Sequence, residues 1–201
     1  MAKIKLTKNE LKKQKDDLKM YRRYLPTLML KKQQLQAEIR TTEIRIRELM
    51  AEKDRSDELF KTWVAVFGEK EIFGPDIMHI VRVTTERGNI AGVPIPVFKG
   101  AEFTVAAYDL IQTPLWLDRA VEQLKRIFLL ILESQTLEEQ RRALDQELKT
   151  TTQRVNLFEK VKIPETRRNI KKIQIYLGDQ QTSEVVRGKI AKRGLEKAVN
   201  A

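Results

Sequence analysis

Cysteine is absent from all 201 residues, and histidine occurs once, at His79. Without thiols there is no disulfide framework and no thiolate chemistry, and an intracellular setting is the easier reading. One histidine excludes multi-histidine metal sites, and His79 stands in a β-branched stretch where an ordinary structural role is expected. Aromatic residues make up 6% and charged residues 33%, too little apolar mass for a compact globule of this length. A long helical assembly with a narrow apolar seam fits better. The longest apolar run, "IFLLIL" at 127–132, falls far short of the ~18 residues that a membrane span needs. The opening "MAKIKLTKNELKKQK" lacks the apolar core of a signal peptide. These absences lead us to expect a soluble, cytoplasmic chain without direct membrane insertion.

Catalytic signatures are missing as well. "GEKEIFG" (68–74) resembles a phosphate loop only by its glycines, because Pro75 follows where Lys-Ser or Lys-Thr is needed. The carboxylate pairs Asp16-Asp17 and Glu138-Glu139 sit on stretches dense with Lys and Arg, as solvated helix faces do. No catalytic, cofactor or metal residue is assigned, and a non-enzymatic role is expected.

A seven-residue repeat is what the chain does have. Thr7 and Glu10 form a capping box, and Leu11 begins the apolar pattern. Counting sevens from Leu11 gives Leu18, Leu25, Lys32, Ile39, Ile46, Lys53, Phe60 and Phe67. The alternate set is Gln14, Tyr21, Leu28, Leu35, Thr42, Leu49, Ser56 and Trp63. The phase never breaks, which is the mark of a supercoiled helix pair.

Glycine and proline then punctuate residues 68–113. "IMHIVRVTT" (77–85) and "IAGVPIPVF" (90–98) read as a hairpin turning through "ERGN" (86–89), with Pro94 and Pro96 confining the second strand to an edge. "VAAYDLI" (105–111) suggests a short helix. Thr113-Pro114 opens a second long helix, whose apolar ladder slips near 131–137 and again around Pro164. Three glycines, at 178, 188 and 194, suggest a fraying end.

The expected architecture is therefore all-α dominated: a long antiparallel two-helix coiled coil with a small β-hairpin and short-helix middle region. One elongated domain spans 1–201, with helices at 7–67 and 114–184, a middle region at 68–113, a hairpin at about 77–98 and a basic tail at 185–201. The hairpin is expected at the far end from both termini. If Pro26 and Pro164 lie at one level, paired positions sum to about 190 and both helices kink together.

Charge is unevenly spread. The formal net charge is +11. Residues 1–32 hold eleven basic and three acidic side chains, and residues 160–201 hold eleven and four. Antiparallel pairing would gather these at one end, where Arg187, Lys189, Lys192 and Arg193 form a basic tip expected to act collectively. Apolar residues in excess of one seam (Phe60, Trp63, Phe67, Ile95 and Phe98) are candidates for a partner interface. The basic balance leaves a nucleic-acid-binding adaptor as the alternative. Against it, the aromatics fall on seam positions rather than among the basic residues.

"RVNLFEKVKIPETRRNIKKIQIYL" (154–177) resembles the C-terminal helix of the D subunit of V-type and A-type ATPases and ATP synthases. The shared features are Arg154-Val155-Asn156, Glu159, Ile163-Pro164 and the Ile170/Ile173/Leu177 ladder. "YLPTLMLKK", "GVPIPVF" and "TPLWLD" are similar to the bacterial branch of that family. The resemblance implies a central-stalk rotor shaft, peripheral to the membrane and itself non-catalytic. It would stand in a hexamer of catalytic and regulatory subunits, bind the small F subunit of the rotor, and rest in a funnel-shaped subunit above the membrane ring. It would carry torque for ATP synthesis or for ATP-driven proton or sodium transport, with no cofactor of its own and no nucleic acid.

Overall fold

A computed structural model describes residues 4–67, 78–107 and 116–199, with side chains up to Lys61 and Leu195 in the two helices concerned. Most of the expected short helix at 105–111, the Thr113-Pro114 helix start and the segment 68–74 lie outside the described residues. The elements in chain order are α1 (Lys8–Phe67), β1 (Met78–Ile90), β2 (Val93–Val105), α2 (Leu117–Asn156), a π turn (Leu157–Lys162) and α3 (Ile163–Val199). The class is as expected: mostly α, with one antiparallel two-stranded hairpin between long helices.

Helix α1 starts where its capping box puts it. Thr7 Oγ1 accepts the Glu10 N–H at 3.3 Å, and the Thr7 carbonyl accepts the Leu11 N–H. All fifteen heptad positions from Leu11 to Phe60 are buried or half-buried. Leu35 and Leu49 are almost wholly enclosed. The side chains of Trp63 and Phe67, which continue the repeat, lie outside the described residues.

Two compact units are present: Met1–Leu30 with Thr151–Ala201, and Lys31–Thr150. In the first, Tyr21 packs on Phe158 with ring centroids 5.2 Å apart, and Asn169 Nδ2 donates to Gln14 Oε1 at 3.4 Å. The pairing is antiparallel, but positions sum to 179–183 rather than about 190. Pro26 and Pro164 are therefore offset by about ten residues, roughly 15 Å of helix. The expectation of two kinks at one level is wrong. Interlocking seam side chains set the register, and the two prolines, Pro26 exposed and Pro164 half-buried, do not.

Each proline is accommodated separately. Pro26 is exposed inside a continuous α1, and Thr27 Oγ1 donates to the Tyr24 carbonyl one turn back. Pro164 follows the π turn, in which the Ile163 N–H reaches back five residues to the Phe158 carbonyl. A proline ring collides with the carbonyl four residues back in a tight α turn, and a wider turn relieves that collision. The seam records the extra residue. The seam positions Thr151, Val155, Phe158, Ile163, Thr166, Ile170, Ile173 and Leu177, all buried or half-buried, recur in steps of three and four except for a single five. That five spans Phe158 to Ile163, the length of the π hydrogen bond. The ladder slip near Pro164 is this turn.

In the second unit, three ion pairs bridge α1 and α2: Lys31–Glu147 at 2.6 Å, Arg45–Glu133 at 3.1 Å and Arg126–Glu52 at 2.6 Å. Each pair sums to 178, which fixes an antiparallel register. Being partly exposed, each contributes about 0–1 kcal/mol, so they select register more than they stabilise. The hairpin lies along this helix pair rather than beyond its end. Val93 and Ile95 join Leu35, Ile39 and Leu144 in a core flanked by Ile90, Val97 and Leu148, while Phe103 meets Phe128. Helix α2 thus faces both α1 and the hairpin and buries a broad band that includes Ile127, Leu130, Ser134, Thr136, Gln140 and Leu144. The apparent slip at 131–137 was this width.

The hairpin turn also differs from expectation. It is the two-residue Ala91-Gly92, at φ 52° and 81°, and not 86–89. Positive φ at both central residues matches the right-handed twist of the flanking strands. Asn89 Oδ1 accepts the Gly92 N–H at 2.9 Å. At the other extreme of the chain, α3 runs helical to Val199 despite Gly178, Gly188 and Gly194, so the expected fraying is not seen.

Candidate partner-binding surfaces

Among the described residues no group of three or more His, Cys, Asp or Glu is placed to hold a metal ion, and no helix is long and apolar enough to cross a membrane. Two open clefts lie where α1 faces α2 in the second unit. Leu59, Phe60, Arg119, Glu122 and Gln123 line one, and Arg47, Glu52, Arg55, Ser56 and Arg126 contribute to the other. In the second, Arg126 and Glu52 neutralise one another at 2.6 Å, as an interhelix contact does.

The charged side chains are held in surface networks. The Arg45 guanidinium is raised above its ordinary range, chiefly by its hydrogen bond to Glu133. Arg141, between Glu138 and Asp145, is raised as well, with the Glu138 hydrogen bond the largest cause. Both guanidinium groups are cationic at any physiological pH; Arg45 reaches across to α1's partner helix, whereas Arg141 is paired within α2.

The residues singled out from sequence separate in space. Ile95 is 5% exposed and fills this chain's own core against Leu35 and Leu144. Phe60 is half-buried beside the first cleft, 21 residues along α1 from Ile39, or about 30 Å. Phe98, half-buried opposite Thr85, belongs to β2. Phe60 and Ile95 therefore do not share one surface. Apolarity alone does not tell a residue that packs at home from one that awaits a partner.

Arg187, Lys189, Lys192 and Arg193 are all exposed on α3. Gln14 opposite Asn169 sets Lys8, the first residue of α1, near residue 175. Beyond Leu177, α3 thus overhangs α1, and every residue from Gly178 to Leu195 is exposed. Among the cations stand Val185 at 59%, Val186 at 49%, Ile190 at 65% and Leu195 at 70% exposure. The overhang is a mixed apolar and basic surface, not a purely electrostatic one. Sequence reasoning missed its apolar half because it searched for seams, and these residues continue no seam.

Residues 10–193 match the family of the ATP synthase D subunit. The chain belongs to that family. It is similar to the D subunit of the V-type ATP synthase of Borreliella burgdorferi, with 50% identity over 98% of this chain and 97% of the relative. The corresponding D subunit of Chlamydia muridarum is 34% identical over 97% of each chain. Membership in the D-subunit family makes this chain a component of a multi-subunit V-type ATP synthase. For such a component, surfaces that look unfinished alone are the natural place to seek function.

Proposed function

We propose that this chain is the central-stalk rotor shaft of its complex. It carries torque between the catalytic hexamer and the membrane ion-translocating ring and catalyses nothing itself. The observation that carries this reading is the α3 overhang, an exposed helix displaying Val185, Val186, Ile190 and Leu195 among Arg187, Lys189, Lys192 and Arg193. A surface of that composition is stable in water only at a cost, and enclosure in a surrounding collar of subunits removes the cost. The helix pairing supports the same reading. A shaft needs torsional stiffness and no deep socket to trap one angle, and heptad packing in both units supplies the first. The partners on this reading are the catalytic and regulatory subunits around the overhang, the small F subunit of the rotor, and the funnel-shaped subunit above the ring. The chain is peripheral to the membrane and cytoplasmic.

A nucleic-acid adaptor finds no support from the aromatics: Tyr21 and Phe158 are spent on one another in the seam, where no base can stack.

The absence of native cysteine makes the test clean. Ile190→Cys, paired with a cysteine introduced in the surrounding collar, tethers shaft to stator under oxidation. ATP turnover of the complex should fall more than about tenfold and return on reduction. Full turnover in the tethered complex would refute the rotor role.

A further inference from the structure

The two edges of the hairpin are unequal. A two-residue turn makes Ile90 and Val93 a hydrogen-bonded pair, so the alternate pairs Asn89–Pro94 and Arg87–Pro96 are non-bonded, with their N–H positions facing outward. Both prolines of β2 thus fall where the donor they lack would have pointed away from β1. The outer edge of β2 is closed a second way: the Pro96 carbonyl accepts a hydrogen bond from Gln140 Nε2 of α2, and Gln140 is 7% exposed. Strand β1 carries no proline, and His79–Arg87 is exposed throughout. Its irregularity lies at Val81, between Ile80 and Arg82, and from Arg82 to Ile90 β1 itself runs without an extra residue. Ile80, Val81 and Val83, at 42%, 61% and 40% exposure, leave β-branched surface beside that edge. Among the described residues no strand pairs with the outer edge of Arg82–Asn89, and a long open edge beside apolar side chains is a template for another strand.

We propose that the outer edge of β1, along Arg82–Asn89, receives a further β-strand from an acidic protein of the same complex. Charge selects the occupant. Glu86 is engaged by Lys99 at 3.0 Å, so the charge displayed along β1 is that of Arg82 and Arg87. A second copy at this edge would bring another Arg82 and Arg87 beside the first pair, like charge to like. A strand with apolar residues beside Ile80 and Val83, and carboxylates beside Arg82 and Arg87, satisfies both backbone and side chains. Main-chain pairing supplies affinity in such an addition, and the alternating side chains supply specificity.

The inference rests on the shaft reading only in placing the chain in an assembled complex. The test is residue-resolved amide exchange of the isolated chain and of the chain within the complex. The outward amides of Thr85 and Arg87 should slow at least about tenfold on assembly, while those of Glu86 and Gly88, already paired with β2, change little. Arg87→Pro removes an outward donor without removing a bond of the hairpin, and should cut retention of the strand donor at least about tenfold. Arg87→Ala keeps the donor and should cost much less. Equal exchange of Thr85 and Arg87 in both states overturns the proposal, whether or not Arg87→Pro folds. Protection that grows with concentration of the isolated chain overturns the acidic occupant in favour of self-pairing. A complex that holds the chain with β1 protected, yet turns over fully when tethered, would fail the shaft reading and leave strand addition standing.

Discussion

Gly88 stands opposite Ile95 in the hairpin, and a β-carbon there would lie 2.7 Å from Val97 Cγ2 and 3.3 Å from Ile95 Cγ1. Both neighbours are β-branched with few rotamers, so neither yields cheaply. Gly88→Ala should destabilise the second unit by about 1–3 kcal/mol through overpacking, read as a shift in a denaturant midpoint at unchanged slope. Gly92→Ala tests a different cause. Nothing lies within 4 Å of its missing β-carbon, but φ is +81°, so a cost of about 1 kcal/mol should come from backbone strain alone. Ile95→Ala should cost about 2–5 kcal/mol, because its side chain fills the core between Leu35 and Leu144. The capping box at Thr7 and Glu10 was plain in the sequence, since its two partners are three residues apart. Ile95 was legible as apolar but not as a core residue, because its core neighbours Leu35, Ile39 and Leu144 are far away in sequence on either side.

At the scale of elements, the heptad phase of α1 was readable because its seam positions from Leu11 to Phe60 are buried or half-buried without a break. Helix α2 was harder to read, because burial against α1 and the hairpin together widens its apolar band and blurs the period. The mutual level of the two prolines was not readable at all. The seam at Tyr21–Phe158 and Gln14–Asn169 sets it, and no local signal reports it. The π turn offers the sharpest test here. Deleting Glu159 removes the extra residue and restores a step of four between seam positions, but it returns the proline to a tight turn. Deletion alone should cost roughly 3 kcal/mol, and combining it with Pro164→Ala should recover most of that loss. Purely additive effects in this double-mutant cycle would show that turn and proline are unrelated.

Across the whole molecule, charge follows the division into units. Met1–Leu30 with Thr151–Ala201 holds 21 basic and 8 acidic residues, a balance of +13, whereas Lys31–Thr150 holds 18 and 20, a balance of −2. On the shaft reading the basic tip makes a contact that breaks and re-forms at each step, which fixed bidentate pairs serve poorly and diffuse attraction over a Debye length of ~8 Å serves well. Single alanine substitutions at Arg187, Lys189, Lys192 or Arg193 should therefore change coupled turnover little. Neutralising all four should weaken retention in the complex about tenfold near physiological salt, with the gap closing toward 1 M, where the Debye length is ~3 Å. One substitution that abolishes coupling with assembly intact would replace the diffuse picture with a specific contact.

The overhang of α3 also bears on the fate of a chain that has not yet found its complex. Val185, Val186, Ile190 and Leu195 then face water on a single helix interrupted by Gly188 and Gly194. A helix with every residue from Gly178 to Leu195 exposed is held chiefly by its own hydrogen bonds, and proteases cut what opens. On the shaft reading, a surplus copy should be trimmed from its C-terminal end sooner than an installed copy, whose overhang the surrounding subunits would shield. The residues proposed to seat the chain would then also keep its dosage matched to that of its partners.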